Sequence, residues 1–358
     1  RQTGELTPEQ SANSTLNQEE ALKQNTILKS APRRLVLELT NRCNLNCVMC
    51  GRNAADFQPT QFQMEWLKYF EPVRNLVEEV TLMGWGEPTV HPDFVEFLRW
   101  AYESGMRKYF CTNGMRLEQL TPALFEYHTD IFAVSLDGAE EKTNQSIRRG
   151  SDFHKILKAL EQINRKKAQE HLEYPYNNFV FTAMKQNIRE LPALVRLAGG
   201  IGVNEVKAVF LTAFDEWSRE QTLFYDMELV REVFAQAAEE GERLGVALKL
   251  PHLCGEDPAG DLPHKTCYVG WRDFFLGSDG YVRPCMSTAQ KLFHISRYPD
   301  FWSMWNAEEY QRHRETVNQA GMPVHCANCY QSSFANWNKI TSFIQIGQNF
   351  APDWDKKT

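Results

Sequence analysis

Short apolar runs alternate with longer amphipathic stretches through the middle of the chain. The amphipathic stretches predict helices, for example over 93–104, 151–167, 191–198 and 227–244. The apolar runs predict strands over 35–40, 79–83, 108–112, 131–136, 179–184 and 205–211, with a further strand over 246–250. Regular strand–helix alternation favours right-handed βαβ units and a parallel sheet. We therefore predict an α/β fold, a partial (β/α)6 barrel rather than a closed eight-stranded one.

The pattern changes after Pro251. Two short runs, 271–276 and 281–284, flank Ser278-Asp279-Gly280, and Asp-Gly is a hairpin signal. We predict three segments: a polar N-terminal extension over 1–31, the partial barrel over 32–250 and a small α+β auxiliary domain over 251–358. In the extension, Thr7 and Pro8 predict the start of a short helix.

Composition and charge narrow the class of protein. Apolar residues make up 42% of the 358 positions, which is ample for a core, and 39 Lys and Arg stand against 46 Asp and Glu. A net charge of -7 without a basic block argues against nucleic acid as the main partner. No apolar run approaches the roughly 18 residues of a membrane span, and no signal peptide is visible. We expect a cytoplasmic protein without a membrane span.

Three of the nine cysteines, Cys43, Cys47 and Cys50, follow the first predicted strand. In a (β/α) barrel that loop lies at the C-terminal mouth, where active sites are found. Three thiolates can hold three irons of a [4Fe–4S] cluster and leave the fourth iron open to another ligand. Thiolates also suit zinc, and His91 could complete a four-ligand zinc site, so both metals remain open at this point.

The segment Gly84-Trp85-Gly86-Glu87-Pro88 follows the second strand at the same mouth. Its glycines allow the backbone to approach a ligand closely, and the Glu87 carboxylate can accept hydrogen bonds from an ammonium group. A loop of this kind one βα unit after the cysteines favours the cluster over zinc.

These loops, together with Thr112-Asn113-Gly114 and Val134–Gly138 at the next two strands, resemble the radical S-adenosylmethionine (SAM) superfamily over most of 34–250. The resemblance implies that SAM chelates the open iron and is cleaved by one electron to a 5′-deoxyadenosyl radical, which takes a hydrogen atom from the substrate. It also implies an oxygen-sensitive cluster and an electron donor such as flavodoxin or ferredoxin.

The resemblance assigns roles residue by residue. Cys43, Cys47 and Cys50 match the cluster ligands, and Trp85 replaces a usually small residue. Arg148 or Arg149 could pair with the methionyl carboxylate, although a solvated arginine pair remains an open alternative. The remaining matched positions are those expected to meet SAM: Met49 beside adenine, Gly84, Gly86 and Glu87 at the ammonium group, and Asn113 and Ser135 at the next two strands.

A second set of four cysteines, Cys267, Cys285, Cys326 and Cys329, lies in the C-terminal segment. Four thiolates can close a zinc site or fully ligate a [4Fe–4S] cluster, and the spacing does not choose between them. The stretch from Cys267 to Cys285, with Ser278–Pro284 inside it, resembles the SPASM/twitch extension of radical SAM enzymes. That resemblance implies one auxiliary [4Fe–4S] cluster with four Cys ligands, for electron transfer or structural support.

Three residues outside these sets are also candidates. Cys111 is expected to be a small buried residue of the third strand. Cys254 is either a hydrogen-atom donor, as the resemblance to radical epimerases implies, or a packing residue between domains. Glu38 shares one strand face with Thr40, and if that face lines the barrel it could touch substrate or support the cluster loop.

The function expected from this pattern is hydrogen abstraction from an unidentified small-molecule or peptide substrate, followed by dehydrogenation assisted by the auxiliary cluster. Two alternatives remain, a radical epimerase that uses Cys254 and a peptide maturase. Maturases often carry a leader-binding domain longer than residues 1–31. A non-enzymatic iron–sulfur or zinc module would leave Gly84–Pro88 unexplained.

Overall fold

The computed structural model describes residues 4–53, 57–251, 253, 266–286 and 288–326. Strands alternate with helices through most of this length, as the sequence predicts. The α-helices are α1 (Pro8–Leu22), α2 (Phe94–Glu103), α3 (Leu117–Glu126), α4 (Glu141–Ile147), α5 (Phe153–Gln169), α6 (Leu191–Gly200), α7 (Glu216–Glu220), α8 (Met227–Leu244), α9 (Val269–Arg272), α10 (Phe301–Trp305) and α11 (Glu308–Thr316). The strands are β1 (Arg34–Leu37), β2 (Asn46–Cys47), β3 (Glu79–Leu82), β4 (Arg107–Thr112), β5 (Ile131–Ser135), β6 (Arg148–Arg149), β7 (Tyr176–Ala183), β8 (Glu205–Phe210), β9 (Ala247–Lys249), β10 (Asp273–Leu276), β11 (Tyr281–Arg283) and β12 (Phe293–His294).

Ten of these strands form one open sheet in the order β12-β11-β10-β1-β3-β4-β5-β7-β8-β9. The pairs from β10 through β1 to β9 are parallel, and β10-β11-β12 are antiparallel. The first six barrel strands are those that the sequence predicts, and β9 is the further strand expected over 246–250. The prediction of an α/β partial barrel that does not close is therefore confirmed.

Helix termini follow the local sequence signals. Thr7 caps α1 with a reciprocal capping box to Gln10, and Pro8 occupies the first turn. The carboxylate of Asp152 caps α5 by accepting from Lys155 N at 2.9 Å. Gly245 ends α8 in the left-handed region at φ 68°, which glycine adopts without a steric cost.

Side chains that point away from the barrel axis form the main hydrophobic core with the surrounding helices. On β8, for example, Val206 and Ala208 belong to this core. Since successive strand residues point to opposite faces, Glu205 and Lys207 point into the barrel. A smaller apolar cluster of Tyr109, Ile131, Ala133 and Tyr176 packs inside.

The N-terminal end of the barrel is filled by ion pairs. Arg34, which is 1% exposed, lies 2.5 Å from Asp273 and 3.6 Å from Glu79. Arg107 pairs with the same Glu79, and Arg272 pairs with the same Asp273. Buried charges of this kind are tolerated only when they are paired, as these are. The paired side chains fill the barrel at that end and close it.

The C-terminal segment joins the same sheet. A strand was expected over 271–276, but residues 269–272 form α9 and the strand begins at Asp273. This β10 pairs in parallel with β1, Leu35 opposite Phe274. The expected auxiliary domain is thus continuous with the barrel sheet, and the boundary near 250 stays a prediction.

The N-terminal helix α1 is longer than the short helix expected and packs against the C-terminal segment. Asn17 Nδ2 donates to Trp271 O at 2.8 Å and to Ser30 Oγ at 3.0 Å. Within the described part of the chain, none of the helices has the length and apolarity needed to cross a membrane.

Candidate active site

The three cysteines lie in the loop after β1, at the C-terminal edge of the sheet. Cys43, Cys47 and Cys50 are each half-buried. Burial raises the pKa of Cys47 to about 11, Arg148 opposes the shift, and the neighbouring Asp137, Cys43 and Cys50 reinforce it. Burial also raises the pKa of Cys43. Thiols that influence one another in this way are close together, and a bound cation would have to displace their protons.

A short ladder fixes the middle of this loop. Strands β2 and β6 pair antiparallel, with Cys47 opposite Arg148 and Asn46 opposite Arg149. The Val48 amide donates to Ile147 O at 2.9 Å just beyond the ladder. The position of Cys47 therefore depends on the segment that follows α4, about a hundred residues later in the chain.

His91 is engaged away from the cysteines. It is 2% exposed, its Nε2 lies 3.1 Å from Phe62 O, and its Nδ1 accepts from Asp93 N at 3.1 Å. Within the described residues, no group of three His, Cys, Asp or Glu side chains is placed to hold a single metal ion. Both ring nitrogens of His91 are occupied by these contacts, which argues against the zinc alternative that used it. Three separate thiolates fit a cluster, in which each binds its own iron.

The Gly84–Pro88 loop packs directly against the cysteine loop. A Cβ on Gly86 would collide with the backbone carbonyls of Thr40 and Arg42, and the Glu87 amide donates to Arg42 O at 2.8 Å. A Cβ on Gly84 would collide with the Glu38 side chain. The glycines were expected to admit a ligand. In the structure, neighbouring protein atoms occupy the space beside both glycines.

Glu87 holds two loops together. Its carboxylate is 3% exposed and accepts from Thr89 N at 3.1 Å, Thr89 Oγ1 at 2.6 Å, Thr112 Oγ1 at 2.7 Å and Asn113 N at 2.6 Å. Burial raises its pKa, and these four donors oppose the shift. The carboxylate was expected to receive the ammonium group of SAM, but its donors come from the loop after β3 and from the end of β4 with the residue that follows it.

Asn113 and Ser135 extend the site along the next two strands. Asn113 Nδ2 donates to Asn44 Oδ1 at 2.7 Å and lies 3.7 Å from Cys43 Sγ. Ser135 Oγ lies 3.3 Å from Cys111 Sγ. Both residues therefore border the same mouth as the cysteines, and Met49 is half-buried within the cysteine loop.

Arg148 is neither solvated nor directed to solvent. Its Nε lies 2.7 Å from the fully buried Asp137 Oδ2, and its Nη1 lies 4.0 Å from Cys47 Sγ. The Asp137 carboxylate also accepts from Thr182 N at 2.7 Å. The alternative of a solvated arginine pair is wrong for Arg148, whose guanidinium supports a cysteine of the loop. Arg149 is exposed.

The upper interior of the barrel is less densely packed than the outer core. Inward-facing residues in the C-terminal half of the strands are half-buried, whereas their outward-facing neighbours are buried. A packed barrel would show buried residues on both faces, so this pattern marks a cavity. The residues that define this barrel cavity are Met83, Cys111, Ser135, Val180, Thr182 and Lys207.

Sequence reasoning missed three residues at this site. Cys111 was expected to be buried, yet it faces the cavity. Asp137 was seen only as part of a motif, and Lys207 was not singled out. The available signal for Lys207 was its position two residues after Glu205, on the polar face of a strand whose other face is apolar.

The described auxiliary cysteines border the C-terminal part of the core. Cys267 and Cys326 are buried and Cys285 is half-buried. The side chain of Asn318 accepts from Cys267 N at 2.7 Å and donates to Cys267 O at 3.1 Å. Cys254 and Cys329 lie outside the described residues, so their predicted roles stay predictions.

Comparisons with known proteins bear on this geometry. The family model for the radical SAM superfamily matches residues 37–198, and the model for an iron–sulfur cluster-binding domain, SPASM, matches residues 267–330. The chain belongs to the radical SAM superfamily and carries a SPASM domain. It is therefore an enzyme of the radical SAM type, and its two domains imply SAM and iron–sulfur clusters as cofactors.

The relatives that align with most of this chain are named for different activities. The chain is 24% identical to an AdoMet-dependent heme synthase of Methanosarcina barkeri, over 86% of this chain and 94% of that protein. It is 25% identical to the mycofactocin maturase MftC of Mycolicibacterium smegmatis, over 84% of this chain and 76% of that protein. The structure of Streptococcus suis SuiB bound to its precursor peptide SuiA matches with a TM-score of 0.64 at 16% identity, covering 93% of this chain and 76% of SuiB. That likeness shows a shared fold.

Proposed function

We propose that this enzyme binds a catalytic [4Fe–4S] cluster through Cys43, Cys47 and Cys50 and removes a hydrogen atom from a substrate held in the barrel cavity. The observation that carries this proposal is that the cysteine loop and the barrel cavity share one mouth of the barrel. Bound together there, the cluster and SAM would supply the one-electron chemistry that breaks a substrate C–H bond.

The residues of this chain would position those groups. Gly84 and Gly86 keep the Gly84–Pro88 loop against the cysteine loop. The remaining carbonyls of the Gly84–Pro88 loop would be available to an ammonium group. Asn113 and Ser135 present polar side chains at the same edge, and Met49 offers an apolar surface beside Cys50. Arg148 holds Cys47 and balances Asp137.

Exclusion of water is the second task of the mouth. Trp85 lies edge-on to Phe214, with ring centroids 5.6 Å apart, and a Cβ on Gly51 would lie 2.8 Å from the Trp85 ring. These rings cover the outer side of the cysteine loop. Such cover limits side reactions of a reactive intermediate.

We further propose that the net reaction is an oxidation of the substrate. An auxiliary [4Fe–4S] cluster, held by Cys267, Cys285, Cys326 and Cys329, would accept the electron that the substrate radical gives up. The direct attachment of β10 to β1 supports this proposal, because it brings the SPASM domain against the strand that leads into the cysteine loop. An external donor such as flavodoxin or ferredoxin would supply the electron that the catalytic cluster uses to cleave SAM.

Two other reactions share the first step. A radical epimerase would use Cys254 as hydrogen-atom donor. Cys254→Ala would then abolish net inversion, whereas a dehydrogenase with the same substitution would keep turning over. A peptide maturase is supported by the similarity to the maturase MftC and to SuiB with its precursor peptide, whereas the similarity to the heme synthase supports a small-molecule substrate. Incubation with each class, followed by mass spectrometry of the product, separates these alternatives.

Iron analysis tests the central proposal. Anaerobically reconstituted protein should contain about eight iron atoms per chain, as two [4Fe–4S] clusters require. Replacing Cys43, Cys47 and Cys50 together by alanine should remove about four of them and abolish release of 5′-deoxyadenosine from SAM. Cys267→Ala with Cys285→Ala should also remove about four but leave SAM cleavage measurable.

The matched control is Cys111→Ala, which removes a thiol of the same mouth that is not a proposed ligand. It should retain the full iron content. A protein that is stable with zinc alone, or a triple variant that still cleaves SAM, would contradict the proposal.

A further inference from the structure

A histidine ring nitrogen is buried without a partner beside one of the auxiliary cysteines. His325 Nε2 is closed off from solvent and has no hydrogen-bond partner among the residues that the structure describes. A buried polar atom left in this state costs free energy, so native proteins normally pair it with protein, ordered water or a bound group. A bound group beside the auxiliary cysteines is therefore a candidate partner for His325.

The position of His325 in the chain favours the auxiliary cluster as that group. His325 directly precedes Cys326, and the Cys326 amide donates to Pro323 O at 2.8 Å, which closes the turn that carries both side chains. Cys326 and Cys267 belong to one hydrophobic core, and Cys285 packs against it. His325 therefore lies beside one proposed ligand of the cluster, at the core that two others share.

Helix α11 relates the His325 ring to the segment of Cys267. Burial lowers the pKa of His313, on α11, to about 4, and His325 lowers it further, so the two rings are close to each other. A Cβ on Gly270 would lie 3.0 Å from the His313 ring. Gly270 belongs to α9, which begins just after Cys267. The His325 ring is therefore near the segment that carries Cys267 as well as beside Cys326.

The backbone amides of the two buried cysteines are already used within the protein. Cys267 N donates to Asn318 Oδ1 at 2.7 Å, and Cys326 N donates to Pro323 O. Hydrogen bonds to the sulfurs are one of the ways in which a protein sets the reduction potential of an iron–sulfur cluster. With these two amides committed to other acceptors, a side-chain donor at His325 suits that role.

We propose that His325 Nε2 donates a hydrogen bond to a sulfur of the auxiliary [4Fe–4S] cluster and raises its reduction potential. This inference rests on the proposed function, which assigns that cluster to Cys267, Cys285, Cys326 and Cys329. Reduction adds one negative charge, so a donor stabilises the reduced form more than the oxidised form. A higher potential favours acceptance of the electron that the substrate radical gives up.

A redox titration followed by electron paramagnetic resonance (EPR) measures this effect. Cys43, Cys47 and Cys50 are replaced together by alanine, so that the signal comes from the auxiliary cluster alone. In this background His325→Leu, which removes the donor, should lower the midpoint potential by about 60 mV, which corresponds to a tenfold change in the oxidised-to-reduced ratio of a one-electron couple. His325→Gln keeps an N–H donor and should stay within about threefold, or about 30 mV.

The matched control is His154→Leu, the same substitution at an exposed site on α5. It should leave the midpoint potential unchanged. Iron analysis and circular dichroism confirm that each variant keeps its cluster and its fold.

Pulsed EPR of the triple alanine variant tests the contact even if no substitution at His325 is tolerated. Histidine labelled with the heavy nitrogen isotope should couple weakly to the reduced cluster, as a hydrogen-bonded imidazole does. The weak coupling should disappear in His325→Gln, because that variant has no imidazole at this position.

Four outcomes would overturn the inference: an unchanged potential in His325→Leu, an equal shift in His154→Leu, no histidine coupling, or the strong coupling of an imidazole bound directly to iron. Any of these in a chain that holds the second cluster would contradict this inference alone. A chain that binds no iron at Cys267 and Cys285 would contradict the proposed auxiliary cluster as well.

Discussion

At the residue scale, the polar groups around the cysteine loop bind one another through hydrogen bonds and an ion pair. Glu87 receives four donors from two loops, and Asn113 links the second of them to Asn44 in the cysteine loop. The Arg148–Asp137 pair supports the opposite side at Cys47. Such contacts hold the loops in place before cofactors bind, which lowers the cost of ordering the site.

The Arg148–Asp137 pair should be strongly coupled because both side chains are buried. Arg148→Met leaves the Asp137 carboxylate without its cation and should cost about 3–5 kcal/mol of unfolding free energy. The double variant with Asp137→Asn should recover much of that loss, because no buried charge remains. Urea denaturation of the cluster-free protein measures the cycle. The exposed neighbour Arg149→Met should change stability by less than about 0.5 kcal/mol, and additive losses in the double variant would refute the coupling.

Lys167 gives a pH-dependent prediction. It is 7% exposed on α5, and burial lowers its pKa to about 8. The unfolded chain binds this proton more tightly than the folded one, so stability should rise with pH between about 8 and the ordinary lysine value near 10.4. Lys167→Met should flatten that rise in a series of denaturation curves. The exposed neighbour Lys166→Met should not, and an unchanged slope in Lys167→Met would show that another group causes it.

At the element scale, short pairings determine where the site residues lie. The ladder between β2 and β6 spans two residue pairs yet brings Cys47 against Arg148. The buried polar side chains of helix α1 donate hydrogen bonds to backbone carbonyls of other segments. The helix was predicted from its N-cap, but its docking was not, because Asn13 and Asn17 look like ordinary polar residues of an exposed helix.

Asn17 tests the docking of α1. Its amide donates to the carbonyl of Trp271 in α9 and to Ser30, and it is 1% exposed. Asn17→Ala leaves these acceptors unsatisfied and should destabilise the protein by about 1–3 kcal/mol. Thermal denaturation followed by circular dichroism measures the loss. Thr15→Ala, on the exposed face of the same helix, is the control; an equal effect of both would mean that helix propensity rather than docking is responsible.

At the scale of the whole molecule, the barrel and the SPASM domain share one sheet and one buried carboxylate. Glu38 Oε1 accepts from Trp85 N at 2.8 Å. Its Oε2 accepts from Ser278 N at 3.1 Å and from Ser278 Oγ at 2.7 Å, within the turn between β10 and β11. The cited contacts of Glu38 are not with the cysteine loop that it was expected to support; they connect the Gly84–Pro88 loop, which is proposed to meet SAM, with the auxiliary domain.

Glu38→Gln tests this connection. The amide nitrogen of glutamine would face backbone donors, so we expect a loss of about 1–3 kcal/mol of stability and SAM binding weakened by about tenfold, with an unchanged iron content. Isothermal titration and iron analysis measure these effects. Glu65→Gln, an exposed carboxylate, is the control. Normal SAM affinity in a destabilised Glu38→Gln protein would limit Glu38 to a structural role.

The sequence by itself determined the alternation of strands and helices, the cysteine spacing and the loop motifs at the strand ends. These features are local, because hydrophobic periodicity and turn residues act between near neighbours in the chain. The tertiary structure decided which groups meet: Glu87 with Thr112, Arg148 with Asp137, β10 with β1, and Lys207 with the barrel cavity. Those contacts depend on sheet register and on residues far apart in sequence, which local patterns do not encode.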